Sequence, residues 1–234
     1  MTTNIPEIIL LCRDKNFITA FEKALQIHWA GITPDKVNIA TVHSRLESLP
    51  ASTTFDLIVS PANPYGRLDG AFDDAISRVF SPPDDYDALT RAAQLVLYKQ
   101  WRGFAPPGTC TLVEFPKELK HNSRSCDWVA ICPTMRKPAD VQWDREIVYE
   151  CVWSLLCQLE GYNRRKPPKR IKKILMTPLA VGIGKVSKER WAAQMVLALK
   201  HFVEAVENPE DQSSLQWDQI EKMSYEVAET WGKK

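Results

Sequence analysis

Short runs of β-branched and other apolar residues alternate along this chain with longer stretches whose apolar residues recur at helical spacing. That alternation is the pattern of layered α/β folds, not of helix bundles or sandwiches. Six runs read as strands: Ile5 to Cys12, Val37 to Val42, Phe55 to Ser60, Thr109 to Phe115, Asp127 to Cys132 and Ile171 to Thr177. Between them, Asp14 to Ala30 carries Phe17, Phe21, Ala24, Leu25 and His28 on one helical face. A second helix is expected from near Asp69 to Phe80, stopped by Pro82-Pro83, and a third from Asp84 to Arg102, with Leu89, Ala93, Val96 and either Tyr98 or Trp101 turned inward. Asp140 to Gly161 reads as a long helix. Ser187 is a suitable N-cap for another that reaches Val206, with Ala192, Met195, Leu199 and Phe202 on one face. Leu215, Ile220, Met223 and Val227 predict a last amphipathic helix over about 213–231. No internal repeat and no long linker interrupts the pattern, so residues 1–234 are expected to form a single domain with its core over about 5–206.

Composition narrows the partners. Thirty Lys and Arg against 29 Asp and Glu leave a formal charge of +1, so no global field draws the chain to nucleic acid or to a membrane surface. No run approaches the ~20 consecutive apolar residues that span a bilayer, and Met1 to Cys12 contains Glu7 without a charged leader or cleavage pattern. The six cysteines sit mostly in apolar runs, and none has the spacing of a zinc or redox hook. They are read as reduced core residues, which places the chain in the cytoplasm or nucleus. No cofactor and no metal is expected.

In open α/β sheets, ligands bind beyond the carboxyl ends of strands, where loop amides and helix N-termini attract anions. Two strand-to-helix loops here have the right chemistry. The first runs from Ser60 through Asn63, Tyr65, Gly66 and Gly70 to Ile76; the second runs from Thr177 through Val181, Gly182, Ile183, Gly184 and Lys185 to Ser187. Their glycines permit close ligand approach, and Lys185 adds a cation. Neither loop matches the Walker phosphate loop or the Gly-x-Gly-x-x-Gly dinucleotide fingerprint.

Taken together the loops resemble a known family. Val59-Ser60-Pro61-Ala62-Asn63, followed by Gly70-x-x-Asp73-x-x-Ile76, is similar to the signature of macro domains, the ADP-ribose-binding modules. Pro133-Thr134-Met135-Arg136, Thr177-Pro178 through Gly182-Ile183-Gly184, and Arg190 to Met195 look like a divergent macro-like branch found in fungi and phages. The resemblance spans about residues 37–206. It implies a three-layer α/β/α sandwich with a mixed central sheet of about six strands. The chain departs from the family pattern in four places: Ser60 stands where the family has its first Asn, the glycine run shrinks to Asp69-Gly70-Ala71, no Asp for adenine occurs near His43 to Leu46, and no aromatic follows Gly182.

The resemblance implies ADP-ribose or a related small molecule as the partner, or an ADP-ribosylated protein carrying it. The diphosphate would lie against amides around Gly70 and Ala71 and of Val181 to Gly184, helped by the two helix N-termini. Asn63 would face the distal ribose, Tyr65 or Lys185 would close over the site, and Ala62 and Gly66 are further ligand-binding candidates. Asn63 and Asp73 are the catalytic candidates: the Asn amide holds hydroxyls without adding charge, and the Asp orients or deprotonates a water that attacks the 1″ linkage. A non-catalytic ADP-ribose reader and a sterile macro-like scaffold are the alternatives.

Each assignment has a plainer counterpart. Asp73 and Asp74 also suit a helix dipole, Asn63 before Pro64 suits a turn, and Gly182 and Gly184 suit an ordinary loop. Seven positive charges between Arg164 and Lys173 are read as a solvated loop, with RNA binding as the outlying reading, because no aromatics interleave them. His43 and His121 lack spaced ligand partners, and Ser60, Ser123 and Ser187 lack a nucleophile-elbow context. Asp84-Asp85-Tyr86-Asp87 is read as charge at a helix start. Trp143, Trp153 and Trp191 are read as core or helix-packing residues.

Overall fold

A computed structural model describes residues 5–33 and 36–233. Met1 to Asn4, the start of the Met1 to Cys12 segment read for a leader, lie outside the described residues. The six strands all form: β1 (Glu7–Cys12), β2 (Ile39–His43), β3 (Leu57–Ser60), β4 (Thr111–Glu114), β5 (Trp128–Ile131) and β6 (Lys173–Met176). They make one sheet in the order β2-β1-β6-β3-β5-β4, parallel throughout except for the antiparallel pair of β4 and β5 at one edge.

The inner strands are apolar without interruption because both faces are covered. Period-two alternation then sorts their side chains. Ile8, Leu10, Cys12, Leu57, Val59, Ile174 and Met176 point into one buried cluster, and Ile9, Leu11, Ile58 and Leu175 point into the other. The first cluster is closed by α1 (Lys15–His28), α4 (Ile147–Arg164) and α5 (Lys188–Glu207), which supply Phe21, Leu155 and Trp191 among others. The second is closed by α2 (Phe72–Phe80) and α3 (Ala88–Trp101) through Ile76, Phe80, Leu89, Ala93 and Leu97. The result is the three-layer α/β/α sandwich around a mixed sheet. A short turn of helix, α6 (Pro209–Gln212), leads to α7 (Trp217–Ala228), which lies against α5. No helix among the described residues is long and apolar enough to cross a membrane.

Three helices begin later than the apolar spacing suggests. Residues before α3 form turns, with Asp85 bound to Arg91 at 2.5 Å and Tyr86 Oη donating to Asp74 at 2.7 Å, so this acidic run ties α3 to α2 without capping it by side chain. Before α4, Val141 N donates to Gly184 O at 3.0 Å, and Asp140 accepts from Gln142 N at 2.9 Å. The segment from Asp140 is thereby held against the second glycine loop instead of coiling. α2 starts at Phe72, after Asp69-Gly70-Ala71. Trp101 is the inward aromatic of α3, its Nε1 donating to Thr111 at 2.8 Å, whereas Tyr98 is exposed. Trp191 is fully buried beside Phe17 and Phe21, and Trp153 stacks on Tyr149. Trp143 corrects the core reading: it is 75% exposed, because the segment carrying it is a loop. Five cysteines are buried and Cys157 is exposed.

Candidate functional site

A cleft of about 470 Å³ opens where the parallel strands end, crossing the loops after β1, β2, β3, β5 and β6. Its size falls within the ~300–1,000 Å³ of small-molecule sites. Both candidate loops reach it. Ala62, Asn63, Gly70, Ala71 and Asp73 line it from the first, and Val181, Gly182, Ile183 and Gly184 from the second.

The first loop is shaped by Asn63. Its Oδ1 accepts from Tyr65 N at 3.1 Å and Arg67 N at 3.3 Å, and its Nδ2 donates to Arg67 O at 2.8 Å. This is the turn-forming use of an Asn amide, and it leaves one Nδ2 hydrogen uncommitted. Gly66, at φ +69°, packs under α3, where an added Cβ would sit 2.7 Å from Leu97. Leu68 N donates to Thr90 at 3.2 Å and Ser77 Oγ to Leu68 O at 2.5 Å, fastening the loop to both neighbouring helices. Ala71 then adopts φ +51°, ψ −116° at the N-cap of α2 and offers no capping side chain. The first amides of α2 are consequently left without a side-chain acceptor at the cleft. α5 differs: Ser187 Oγ accepts from Arg190 N at 3.1 Å and caps it by side chain, whereas at α2 the Asp73 N–H donates only to backbone, to Gly70 O at 3.0 Å.

Asp73 stands on the first turn of α2 and is 7% exposed. Its Oδ1 accepts from Ser60 Oγ at 2.6 Å. Oδ2 has no hydrogen-bond partner among the described residues and is not sealed from solvent, and Asp73 lines the cleft. Burial drives the acid up to about 7; the Ser60 hydroxyl pulls the other way and Asp69 adds a smaller push upward. The adjacent Asp74 is held low by hydrogen bonds from Arg78 and Tyr86. Both carboxyls line the cleft, but their environments push them apart: Asp74 is tied to Arg78 and Tyr86 and held low, and Asp73 is raised by burial.

In the second loop, Ala180 at φ +61° and Lys185 at φ +56° bracket the glycines. A Cβ on Gly184 would lie 2.4 Å from Ala180 O and 2.9 Å from Val141, so this glycine is required by packing. Gly182 and Gly70 are not. Neither has positive φ, and a Cβ on either would meet nothing within 4 Å. Their bare backbones face open space.

Tyr65, Gly66 and Lys185 stand apart from the cleft lining. Tyr65 packs on Phe104 with Arg136 donating to its hydroxyl at 3.4 Å, and Lys185 is drawn 3.6 Å from Asp140. Sequence reasoning did not select Arg13, Arg45, Glu47, Thr134 or Met135, which also line the cleft. Each follows the carboxyl end of a parallel strand, and the strand-end rule applied to β1, β2 and β5 is the signal that would have found them. Charges of the 164–173 run lie on the connection entering β6, at the opposite end of the sheet. Lys169 pairs with Asp127 at 2.5 Å, Arg164 with Glu160 at 3.6 Å and Lys173 with Glu7 at 3.1 Å. Among the described residues no group of three or more His, Cys, Asp and Glu is arranged to hold a metal ion.

No family model and no curated protein matches this sequence. Comparison of folds finds similarity to solved macrodomains. A mutant Oceanobacillus iheyensis macrodomain with ADPR superposes at a TM-score of 0.50, with 15% identity over 66% of this chain and 74% of that one. The same macrodomain with ADP gives 0.49 at 15% identity over 66% and 72%. The macrodomain of Mycobacterium tuberculosis DarG gives 0.46 at 16% identity over 65% and 86%. The chain has the macrodomain fold.

Proposed function

We propose that the cleft binds ADP-ribose or a derivative of it, and that the chain hydrolyses a group linked at the 1″ position, such as the phosphate of ADP-ribose 1″-phosphate or an ADP-ribosylated side chain. The observation that carries this is the meeting, in one cleft, of two bare glycine backbones and a buried carboxyl that titrates near neutral pH. The uncapped start of α2 is the natural seat for the diphosphate, since orphan N–H groups and the helix dipole both favour an anion. Gly70 and Gly182 let the ligand reach backbone that a side chain would screen. The remaining Nδ2 hydrogen of Asn63 can serve a ribose hydroxyl, while the rest of its amide keeps the loop in shape.

Asp73 supplies the chemistry. A water held by Oδ2 attacks the 1″ linkage, and Asp73 takes its proton as general base; a base poised near the working pH contributes about 10²–10⁴-fold. ADP-ribosylated protein as the natural substrate, and a single domain spanning the chain, belong to the same proposal.

A second reading has an observation in its favour. Because most of the Asn63 amide is spent on its own turn, the domain also fits a reader that binds ADP-ribose without turnover. Titration with ADP-ribose and AMP, followed by turnover assays on ADP-ribose 1″-phosphate and mono-ADP-ribosylated protein, separates the two. The hydrolase binds ADP-ribose and loses turnover in Asp73→Ala and Asn63→Ala. Binding without turnover establishes the reader, and no binding leaves a sterile scaffold.

A further inference from the structure

Ser60 occupies the last position of β3, where it is fully buried and its carbonyl accepts from Cys132 N at 2.9 Å. Its backbone is therefore locked in the middle of the sheet. Its hydroxyl, with Asp73 as the partner at 2.6 Å, bridges the end of the strand to the first turn of α2 and so closes the whole first loop. A buried hydroxyl without a partner is costly, and a hydroxyl on a carboxylate makes a short, charge-assisted bond. The bond occupies Oδ1 and leaves Oδ2 without a hydrogen-bond partner and open to solvent on a residue that lines the cleft.

We infer that Ser60 is a positioning residue for the hydrolysis: it holds Oδ1 of Asp73 so that Oδ2, fixed in direction by a rigid strand, is the atom that receives the proton of the attacking water. The inference rests on the hydrolytic reading above. In the step, the water oxygen bonds to the electrophilic atom of the 1″ linkage as the leaving oxygen departs with the bonding pair. The water proton passes to Oδ2 and is then returned to the leaving oxygen, so Asp73 ends as it began. Ser60 keeps its own proton throughout and makes no bond to substrate.

The groups around Asp73 agree with this division. Asp69, on the loop, disfavours its ionisation; Asp74 on α2 also lines the cleft but is bonded to Arg78 and Tyr86, and the groups acting on Asp73 include no cation. The Ser60 hydroxyl is what offsets burial there, and it thereby keeps a useful fraction of the carboxyl ionised at neutral pH.

The test is a carbon-detected NMR titration of the Asp73 carboxyl in the free full-length chain, beside pH–rate profiles on ADP-ribose 1″-phosphate. Ser60→Ala is expected to move the Asp73 midpoint upward by about one pH unit, the worth of a hydrogen bond to a charged group. Turnover should fall about fivefold or more at pH 7 and recover toward alkaline pH. Ser60→Cys keeps the shape but is a weak donor, so it should show the same upward movement should the alanine variant not fold; Ser60→Thr, which keeps the hydroxyl, should restore the wild-type profile. An unmoved midpoint, or a loss of turnover equal at every pH, overturns the assignment to Ser60. Absence of turnover in the wild-type chain instead defeats the hydrolytic reading and with it the role in the reaction.

Discussion

In the proposed hydrolase, Asp73 meets opposed demands from folding and from chemistry. Its acid is raised by burial to about 7, against 3.8 unperturbed, so the folded chain binds this proton more tightly than the unfolded chain does. The stability it contributes is complete below the unfolded value and is lost as pH rises toward 7, where the carboxylate must be carried in a buried place. Asp73→Asn is therefore expected to raise the melting temperature at pH 8, by the equivalent of a few kcal/mol, and to have little effect at pH 4. Thermal melts at the two pH values check this, and turnover should be lost in the same variant, as expected where a site is kept at a cost in stability. The glycines divide in a similar way. Gly184→Ala should destabilise by about 1–3 kcal/mol, because its new methyl meets Ala180 O and Val141. Calorimetric unfolding reads that directly.

At the scale of elements, the first loop is a clamp built on Asn63 and closed by Ser60 with Asp73. Asn63→Ala removes three hydrogen bonds and is expected to cost about 2 kcal/mol. Ala71, at φ +51°, ψ −116°, occupies backbone that favours glycine, so Ala71→Gly should stabilise by about 1 kcal/mol; denaturant melts at unchanged slope would show it. Much of this scale is legible in the residues alone. The uninterrupted apolar runs of β1 and β6 announce strands covered on both faces; Asn63 and Asp73, singled out by the resemblance to macro domains, both line the cleft. What is hidden depends on distant partners. Val141 leaves the expected helix because Gly184, 43 residues on, takes its N–H. Ser60 reads in sequence only as a missing Asn; its bond to Asp73 exists because strand and helix fold back on each other. Periodicity cannot tell that the Asn63 amide is turned into its own loop.

Across the whole molecule, α7 is pinned by a network remote from the cleft. Tyr149 Oη lies 3.0 Å from His201 Nδ1, and Glu226 of α7 sits 3.1 Å from His201 Nε2 and 2.6 Å from Lys200. Burial lowers the acid of His201 despite Glu226 beside it. Burial works against the Glu226 charge, but Lys200 and His201 outweigh it and hold that acid below the ordinary glutamate range. Both groups are depressed on folding, so their contribution is present at neutral pH and fades as pH falls through their folded values. Amide exchange over residues 217–228, corrected for intrinsic rates, should therefore speed up between pH 7 and pH 5 relative to β1. His201→Gln should remove that pH dependence. This trend runs opposite to that of Asp73, and the two are separable because one is read at α7 and the other at the cleft.

Gly70 and Gly182 turn bare backbone to open space, where the proposed ADP-ribose ligand would lie. Calorimetric titration of ADP-ribose into the wild-type chain and into Gly182→Val tests this placement most directly. The account predicts saturable one-to-one binding by the wild type and at least tenfold weaker binding by Gly182→Val, with the two melting temperatures alike. No binding by the wild type, or equal binding by both, would contradict it.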